Sequence, residues 1–187
     1  MRIVGGRFSG RPIIAPKGMD TRPTTDRTRE SLFNILTHKD DFELEGTRVI
    51  DLFAGSGALG LEAVSRGAAY CLFVEEAAKA RAAIRENIEA LSLFGDTRLH
   101  RRSATALGTI PASAGDPFGL AFLDAPYDRG LTEPALEGLR QGGWLLPGAL
   151  LVVEQGGKET PALPEGFRED DRRQFGDTQI GFLHALP

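Results

Sequence analysis

The sequence predicts an α/β domain built on a mostly parallel sheet, and three observations carry that prediction. From residue 47 onward, short β-rich runs alternate with helix-periodic runs. A glycine-rich turn, Gly55-Ser56-Gly57-Ala58-Leu59-Gly60, follows the first of them. The chain then closes on two further strand-like runs joined at Gly176-Asp177. Alternating strand–helix units demand parallel neighbours, because each crossover helix carries the chain back to the same edge of the sheet. A closing hairpin adds one antiparallel pair at an edge.

Residues 1–17 alternate weakly and hold Gly5-Gly6 and Gly10, which predicts short strands joined by turns. Residues 21–26 read as a loop ending in a helix N-cap. The helix after it carries Leu32, Ile35 and Leu36 on one stripe with Phe33 beside it. Strands are then expected over residues 48–53, 71–75, 98–101, 120–124 and 149–154. Helices are expected from 58–65, 77–91 and 131–140, and the hairpin strands over 168–175 and 178–186. This divides the chain into a small N-terminal extension, residues 1–40, and a main domain, residues 41–187.

At 187 residues the chain is one ordinary domain, and 41% hydrophobic with 26% charged residues places it in the globular range. Apolar runs such as residues 149–153 are far too short to cross a bilayer, so no membrane partner is expected. Met1 is not followed by a charged stretch and an apolar stretch of secretory type. The lone cysteine, Cys71, excludes an intrachain disulfide and points to a reducing cytoplasm, with a monomer as the default state. The three histidines are scattered without metal-ligand spacing, so no metal is expected.

The formal net charge of −4 argues against a generic nucleic-acid binder, but its distribution is uneven. Residues 1–29 hold seven basic side chains and two acids, +5 formally, which leaves −9 on residues 30–187. A basic arm on an acidic body suits a polyanion bound at one end. A solvated basic surface accounts for the charges equally well.

The run Asp51-Leu52-Phe53-Ala54-Gly55-Ser56-Gly57 is a strand end followed by a glycine turn that opens a helix. Small residues there let backbone approach a ligand beside a helix N-terminus. The G-x-G-x-x-G match alone leaves open a tight turn without a ligand. Asp51 favours S-adenosyl-L-methionine over a nicotinamide cofactor. A carboxylate at the strand end suits the amino group of a zwitterion and repels a pyrophosphate. Glu75 ends the next strand, where an acid can accept both ribose hydroxyls of an adenosine ligand. Pairing with Lys79 is the plainer alternative, and Glu76 reads as surface.

Asp124-Ala125-Pro126-Tyr127 ends the fourth strand and so faces the same crevice as the glycine turn. An exocyclic base amine is a poor nucleophile because its lone pair is delocalised into the ring. Asp124 and the carbonyl of Ala125 can each accept one N–H, fixing the amine's plane and aiming its lone pair. Pro126 stiffens the turn, and Tyr127 can stack on the base. A strand-end Asp with a half-buried Tyr is also an ordinary turn; the glycine loop and Glu75 ahead of it tip the reading toward chemistry.

These motifs in this order resemble those of class I S-adenosylmethionine-dependent methyltransferases. Arg2-Ile3-Val4-Gly5-Gly6, Gly10-Arg11 and Arg22-Pro23-Thr24-Thr25-Asp26-Arg27-Thr28-Arg29-Glu30 narrow the resemblance to the bacterial family that methylates guanine N2 in 16S ribosomal RNA. The resemblance implies a Rossmann-like seven-stranded sheet, mostly parallel with a C-terminal antiparallel hairpin, and an RNA-contacting N-terminal extension. It implies S-adenosyl-L-methionine held by Asp51, Phe53, Ala54, Gly55, Ser56, Gly57, Glu75, Ser103 and Ala104. Catalysis falls to Asp124, Ala125, Pro126 and Tyr127 on a flipped guanine. Arg7, Arg11, Arg22, Thr24 and Arg27 become RNA contacts in 16S RNA or the small subunit, while Arg29 is left to pair with Glu30 or a body acid. Two departures stand out. Ala125 replaces the family's usual proline, and no acid occurs at Ser103-Ala104-Thr105, where one often meets the adenine. Other readings are an adenine-N6 methyltransferase on DNA or RNA, an NAD-linked oxidoreductase, or a non-catalytic RNA-binding module.

Overall fold

In the computed structural model, which describes residues 1–18, 24–159 and 162–187, seven strands form one mixed sheet flanked by helices on both faces. The elements are α1 (Asp26–Thr37), β1 (Arg48–Leu52), α2 (Ala58–Ser65), β2 (Tyr70–Val74), α3 (Ala78–Ala90), β3 (Thr97–His100) and β4 (Phe118–Asp124). They continue with α4 (Thr132–Gln141), β5 (Leu145–Gly156), β6 (Phe167–Phe175) and β7 (Thr178–Ala185). Across the sheet the order is β3-β2-β1-β4-β5-β7-β6. Strands β1 to β5 pair in parallel, and β7 runs antiparallel to both β5 and β6. The strand order reverses between β1 and β4, which is where an open α/β sheet leaves a crevice beyond its carboxyl ends.

Period-2 alternation in the strands separates two cores. Val49, Leu120, Phe122, Leu150 and Val152 face Leu32, Phe33 and Leu36 of α1 together with α2 and α3. Ile50, Ala121, Leu123, Leu151 and Val153 face α4 and Trp144. Asp51, Asp124 and Glu154 continue the first face by parity, so all three acids lie on the side that α1 to α3 cover.

Residues 1–17 depart from the expected short strands: Arg2 and Pro12 form an isolated bridge and no strand of this segment joins the sheet. Residues 1–3 pair locally with 10–13 through backbone bonds such as Ile3 N to the Arg11 carbonyl at 2.9 Å, and other N–H groups find side-chain partners. Glu62 accepts from Val4 N at 2.9 Å and Gly5 N at 2.8 Å, and the Ser65 hydroxyl accepts from Phe8 N at 3.0 Å. Asn87 accepts from Ile14 N at 2.8 Å. Gly6 sits at φ +79° with its α-carbon so close to the Ser65 carbonyl that a Cβ would come within 2.0 Å of it, so no other residue fits there. Ile3 and Ile13 are buried in the same cluster as α1 to α3. The extension therefore shares its core with the rest of the chain.

Helix α1 starts where the sequence expects an N-cap: the Thr25 hydroxyl accepts from Thr28 N at 3.1 Å. Strand β5 begins four residues before the expected 149, because a register shift between Phe118 and Leu120 lets it pass over Pro147 and Gly148 and still pair with β4.

Candidate active site at the carboxyl edge of the sheet

The glycine turn leaves β1 under backbone constraint. Phe53 takes φ +55°, rare for a residue with a Cβ, and Gly55 and Gly57 follow at +60° and +82°. Gly60, the third glycine, packs the first turn of α2 onto β2. A Cβ there would lie 2.5 Å from both Cys71 Sγ and the Phe73 ring. Its N–H donates to Asp51 Oδ2 at 3.1 Å. Gly60→Ala is therefore expected to weaken binding of S-adenosylhomocysteine at least tenfold and to lower Tm, because overpacking costs roughly 1–3 kcal/mol. Calorimetric titration of that variant checks it, and unchanged affinity would refute the link between this packing and the loop's shape.

Asp51 is buried, and desolvation pushes its carboxyl well above the ordinary carboxylate range. The Gly60 amide offsets this in part, while the charge of Glu75 adds to it. Glu75 does not pair with Lys79. Its Oε1 accepts from Gly55 N at 2.9 Å and its Oε2 from Ala77 N at 2.9 Å, so it locks the glycine turn to the end of β2. A carboxylate offers about four lone-pair directions, which leaves acceptor capacity for two ribose hydroxyls. Glu76 is exposed, as expected. Ala54 and Ser56 are buried in the turn. The Ser56 carbonyl accepts from Asn87 Nδ2 at 3.0 Å, a support from α3 that sequence spacing does not reveal. Beyond β3, Ala104 is buried, and the Ser103 hydroxyl accepts from Thr105 N at 3.3 Å.

Asp124 ends β4, next to β1, and register places it directly across from Glu154 on β5. Both side chains lie on one face of the sheet, so the two carboxyls are neighbours whose charges interact. Asp124 keeps some solvent contact, yet the protein packed around its carboxyl pushes it well above the ordinary range, and the charges of Glu154 and Asp51 add to this. Burial also raises Glu154, and hydrogen bonding with Thr24, Asp124 and Tyr127 pulls it back, so the two carboxyls titrate as a pair. Thr24 Oγ1 donates to Glu154 Oε2 at 2.7 Å. The Tyr127 hydroxyl lies 3.4 Å from Glu154 Oε1 and 2.9 Å from Thr178 Oγ1. Burial pushes the phenol up to about 12, with the Glu154 and Asp124 charges adding to it, so Tyr127 stays neutral and can donate. Ala125 is buried and Pro126 exposed within the same turn.

Sequence reasoning passed over Glu154, although the signal was present. It is an acid at the carboxyl end of a strand, the same placement that singled out Asp51, Glu75 and Asp124. Thr24, an expected RNA contact, is buried with its hydroxyl engaged by Glu154. Thr24, Thr25, Arg27, Thr28, Glu154 and Thr178 line an open cleft of about 430 Å³ between the start of α1 and the β6–β7 turn. Arg27 is exposed on its rim.

Among the described residues, Arg7 and Arg11 do not line this cleft. Arg7 lies 3.6 Å from Asp96, just before β3, and Arg11 Nη2 donates to the Ala90 carbonyl at 2.7 Å at the end of α3. Both places are on the amino edge of the sheet, opposite the crevice. Arg22 falls outside the described residues. Arg29 takes the body-acid option: it is fully buried with Nε 3.3 Å from Glu62 Oε1. The scattered histidines hide one cluster that only folding assembles, since His184 Nε2 lies 2.7 Å from Asp170 and 3.2 Å from Asp41, again near the amino edge of β5. Among the described residues, no helix is long and apolar enough to cross a membrane.

Residues 1–184 match the protein family described as "Conserved hypothetical protein 95". The chain is 38% identical over 154 residues to ribosomal RNA small subunit methyltransferase D of Escherichia coli strain K12, covering 82% of this chain and 74% of that one. It is 32% identical over 170 residues to the Haemophilus influenzae protein of the same name, covering 89% and 84%. Among solved structures, yhhF from Escherichia coli superposes with a TM-score of 0.83 at 31% identity, over 100% of this chain and 98% of that one. Family match, sequence identity and superposition thus agree, and the chain belongs to the conserved hypothetical protein 95 family as a protein of the ribosomal RNA small subunit methyltransferase D type.

Proposed function

We propose that this protein transfers the methyl group of S-adenosyl-L-methionine to the exocyclic N2 amine of a guanine in 16S ribosomal RNA. The observation that carries the reading is the position of Asp124. Its carboxyl stands at the carboxyl end of β4, on the same sheet face as Asp51 and beside the strand that launches the glycine turn. A methyl donor lying over that turn and an amine held by Asp124 would meet across the crevice.

The donor set suits the cofactor. The space around Gly55 is open, with no heavy atom within 4 Å of where a Cβ would stand. Asp51 would hold the amino group, Glu75 the ribose, and the turn at Ser103-Ala104 the adenine side. When bound, the cofactor supplies an electrophilic methyl and a neutral thioether leaving group. The chain's own work is positioning. Asp124 accepts an amine N–H, orients the nitrogen lone pair toward the methyl carbon, and takes up the proton released as the N–C bond forms.

The cleft beside α1 supports an RNA substrate, since its volume lies in the range of small-molecule sites, roughly 300–1,000 Å³, and Arg27 stands at its mouth. Residues 1–40 serve as the RNA-contacting extension through that end of the segment. Arg27→Glu is expected to weaken RNA binding and flatten its salt dependence by about one unit of slope, with cofactor affinity unchanged. An unaltered slope from binding titrations across salt concentrations would exclude Arg27 as a phosphate contact.

The direct test is to map methylated nucleotides in 16S RNA from cells with and without the protein. The expected difference is one N2-methylguanine. Loss of an N6-methyladenine instead would replace guanine with adenine as the substrate, and calorimetric binding of NADH without S-adenosylhomocysteine would overturn methyl transfer altogether.

A further inference from the structure

We infer that Glu154 is the residue that selects guanine: its carboxylate accepts the ring N1–H of the same base whose N2 amine Asp124 holds. This rests on the guanine-N2 reading and adds to it a determinant of base identity. Asp124 and Glu154 are register partners on adjacent parallel strands, and parity puts both side chains on the face under α1. Their charges interact, and Glu154 also lines the cleft. Guanine presents two neighbouring donors along this edge, N1–H and N2–H. Two acceptors side by side match that pattern, whereas adenine opposes an amine donor with an N1 lone pair, which a carboxylate repels.

The surroundings of Glu154 fit an acceptor held in place for a ligand. It is 6% exposed and is held from two elements, by Thr24 ahead of α1 and by Tyr127 after β4. The 2.7 Å bond from Thr24 occupies Oε2, while the 3.4 Å contact from Tyr127 to Oε1 is long. A carboxylate offers about four lone-pair directions, so even with Asp124 beside it Glu154 keeps one for a stronger donor. A buried acceptor built for one donor rejects an analogue lacking it far more strongly than an apolar wall would.

The experiment uses small subunits reconstituted with 16S RNA carrying either guanine or 2-aminopurine at the mapped nucleotide. 2-Aminopurine keeps the N2 amine but offers a lone pair at N1. Wild-type protein is expected to prefer guanine by roughly 10- to 100-fold in kcat/KM, the worth of a hydrogen bond to a charged group. Glu154→Gln can turn its amide to donate to that lone pair, so it should lose rate on guanine, gain on 2-aminopurine, and compress the preference at least tenfold. Because 2-aminopurine also lacks O6, this exchange in the variant isolates N1. S-adenosylhomocysteine affinity should not change. Equal wild-type rates on the two bases, or the same preference in both proteins, would overturn the assignment while leaving guanine-N2 transfer standing. Absence of N2 methylation of the guanine RNA by wild-type protein would instead overturn the parent reading.

Discussion

Asp124→Ala is expected to lower kcat/KM for methyl transfer by roughly 10²- to 10⁴-fold, the range of a positioned proton acceptor, with S-adenosylhomocysteine affinity within a few-fold of wild type. The separation follows from geometry: Asp124, the proposed amine acceptor, ends β4, while the glycine turn and Glu75 follow β1 and β2. Single-turnover assays with calorimetry check both halves, and unchanged turnover would remove Asp124 from the reaction. The same carboxyl sets a pH dependence. Burial and the Glu154 and Asp51 charges raise Asp124, so its carboxylate forms only above the ordinary carboxylate range. Activity should rise with pH through that elevated value and then level off. In Glu154→Gln the limb should move to lower pH, because a neighbouring negative charge has gone.

The stability sign is the reverse. A carboxyl raised in the folded state above its unfolded value costs nothing below the unfolded value. Its penalty grows as pH climbs from there to the folded value. Above that folded value wild type carries the full penalty, and there Asp124→Ala should raise Tm, by about 2–4 °C per kcal/mol for a chain this size. An active site that destabilises its fold is the usual trade between stability and function.

Glu62→Ala should be the most damaging single change to the fold, costing about 3–5 kcal/mol, the range for breaking a buried ion pair from one side. Against a total stability of about 5–15 kcal/mol, this leaves the folded state marginal. Glu62 is fully buried in α2 and gathers three elements. It accepts from Val4 and Gly5 of the extension, pairs with Arg29 of α1 at 3.3 Å, and receives Arg66 Nε at 2.9 Å. Removing it takes away the buried carboxylate of the 0%-exposed Arg29 guanidinium, leaving the partly exposed Asp26 at 2.8 Å, and orphans two backbone N–H groups. Urea denaturation measures the loss, and a cost below 1 kcal/mol would show that Asp26 and water suffice for Arg29. The consequence reaches the site, because Arg29 Nη1 donates to the Thr24 carbonyl at 3.4 Å and Thr24 in turn holds Glu154. Deleting the extension would remove Ile3 and Ile13 from the core, so point substitutions at its charged surface, and not truncation, separate its RNA role from its structural one.

Local chemistry made the parallel strands, the glycine turn and the closing hairpin legible, because each depends on residues close in the chain. Period 2, period 3.6 and turn glycines are properties of short windows. The rule that ligands sit beyond strand carboxyl ends then picked Asp51, Glu75 and Asp124 without any contact being known. The N-terminal segment defeated the same reasoning. Its weak alternation looks like strand, but beyond one local backbone pairing the N–H groups of Val4, Gly5, Phe8 and Ile14 are satisfied by Glu62, Ser65 and Asn87, which lie 57 to 73 residues away.

The sequence by itself determined the sheet's elements, the crevice and three of its acids, since those follow from spacing and from the hand of βαβ crossovers. Tertiary structure decided which charges face which. It sent Arg7 and Arg11 to the amino edge, buried Arg29 against Glu62, and set Glu154 against Asp124 across 30 residues of chain through β4–β5 register. Electrostatics depends on distance and burial, neither of which spacing along a chain encodes.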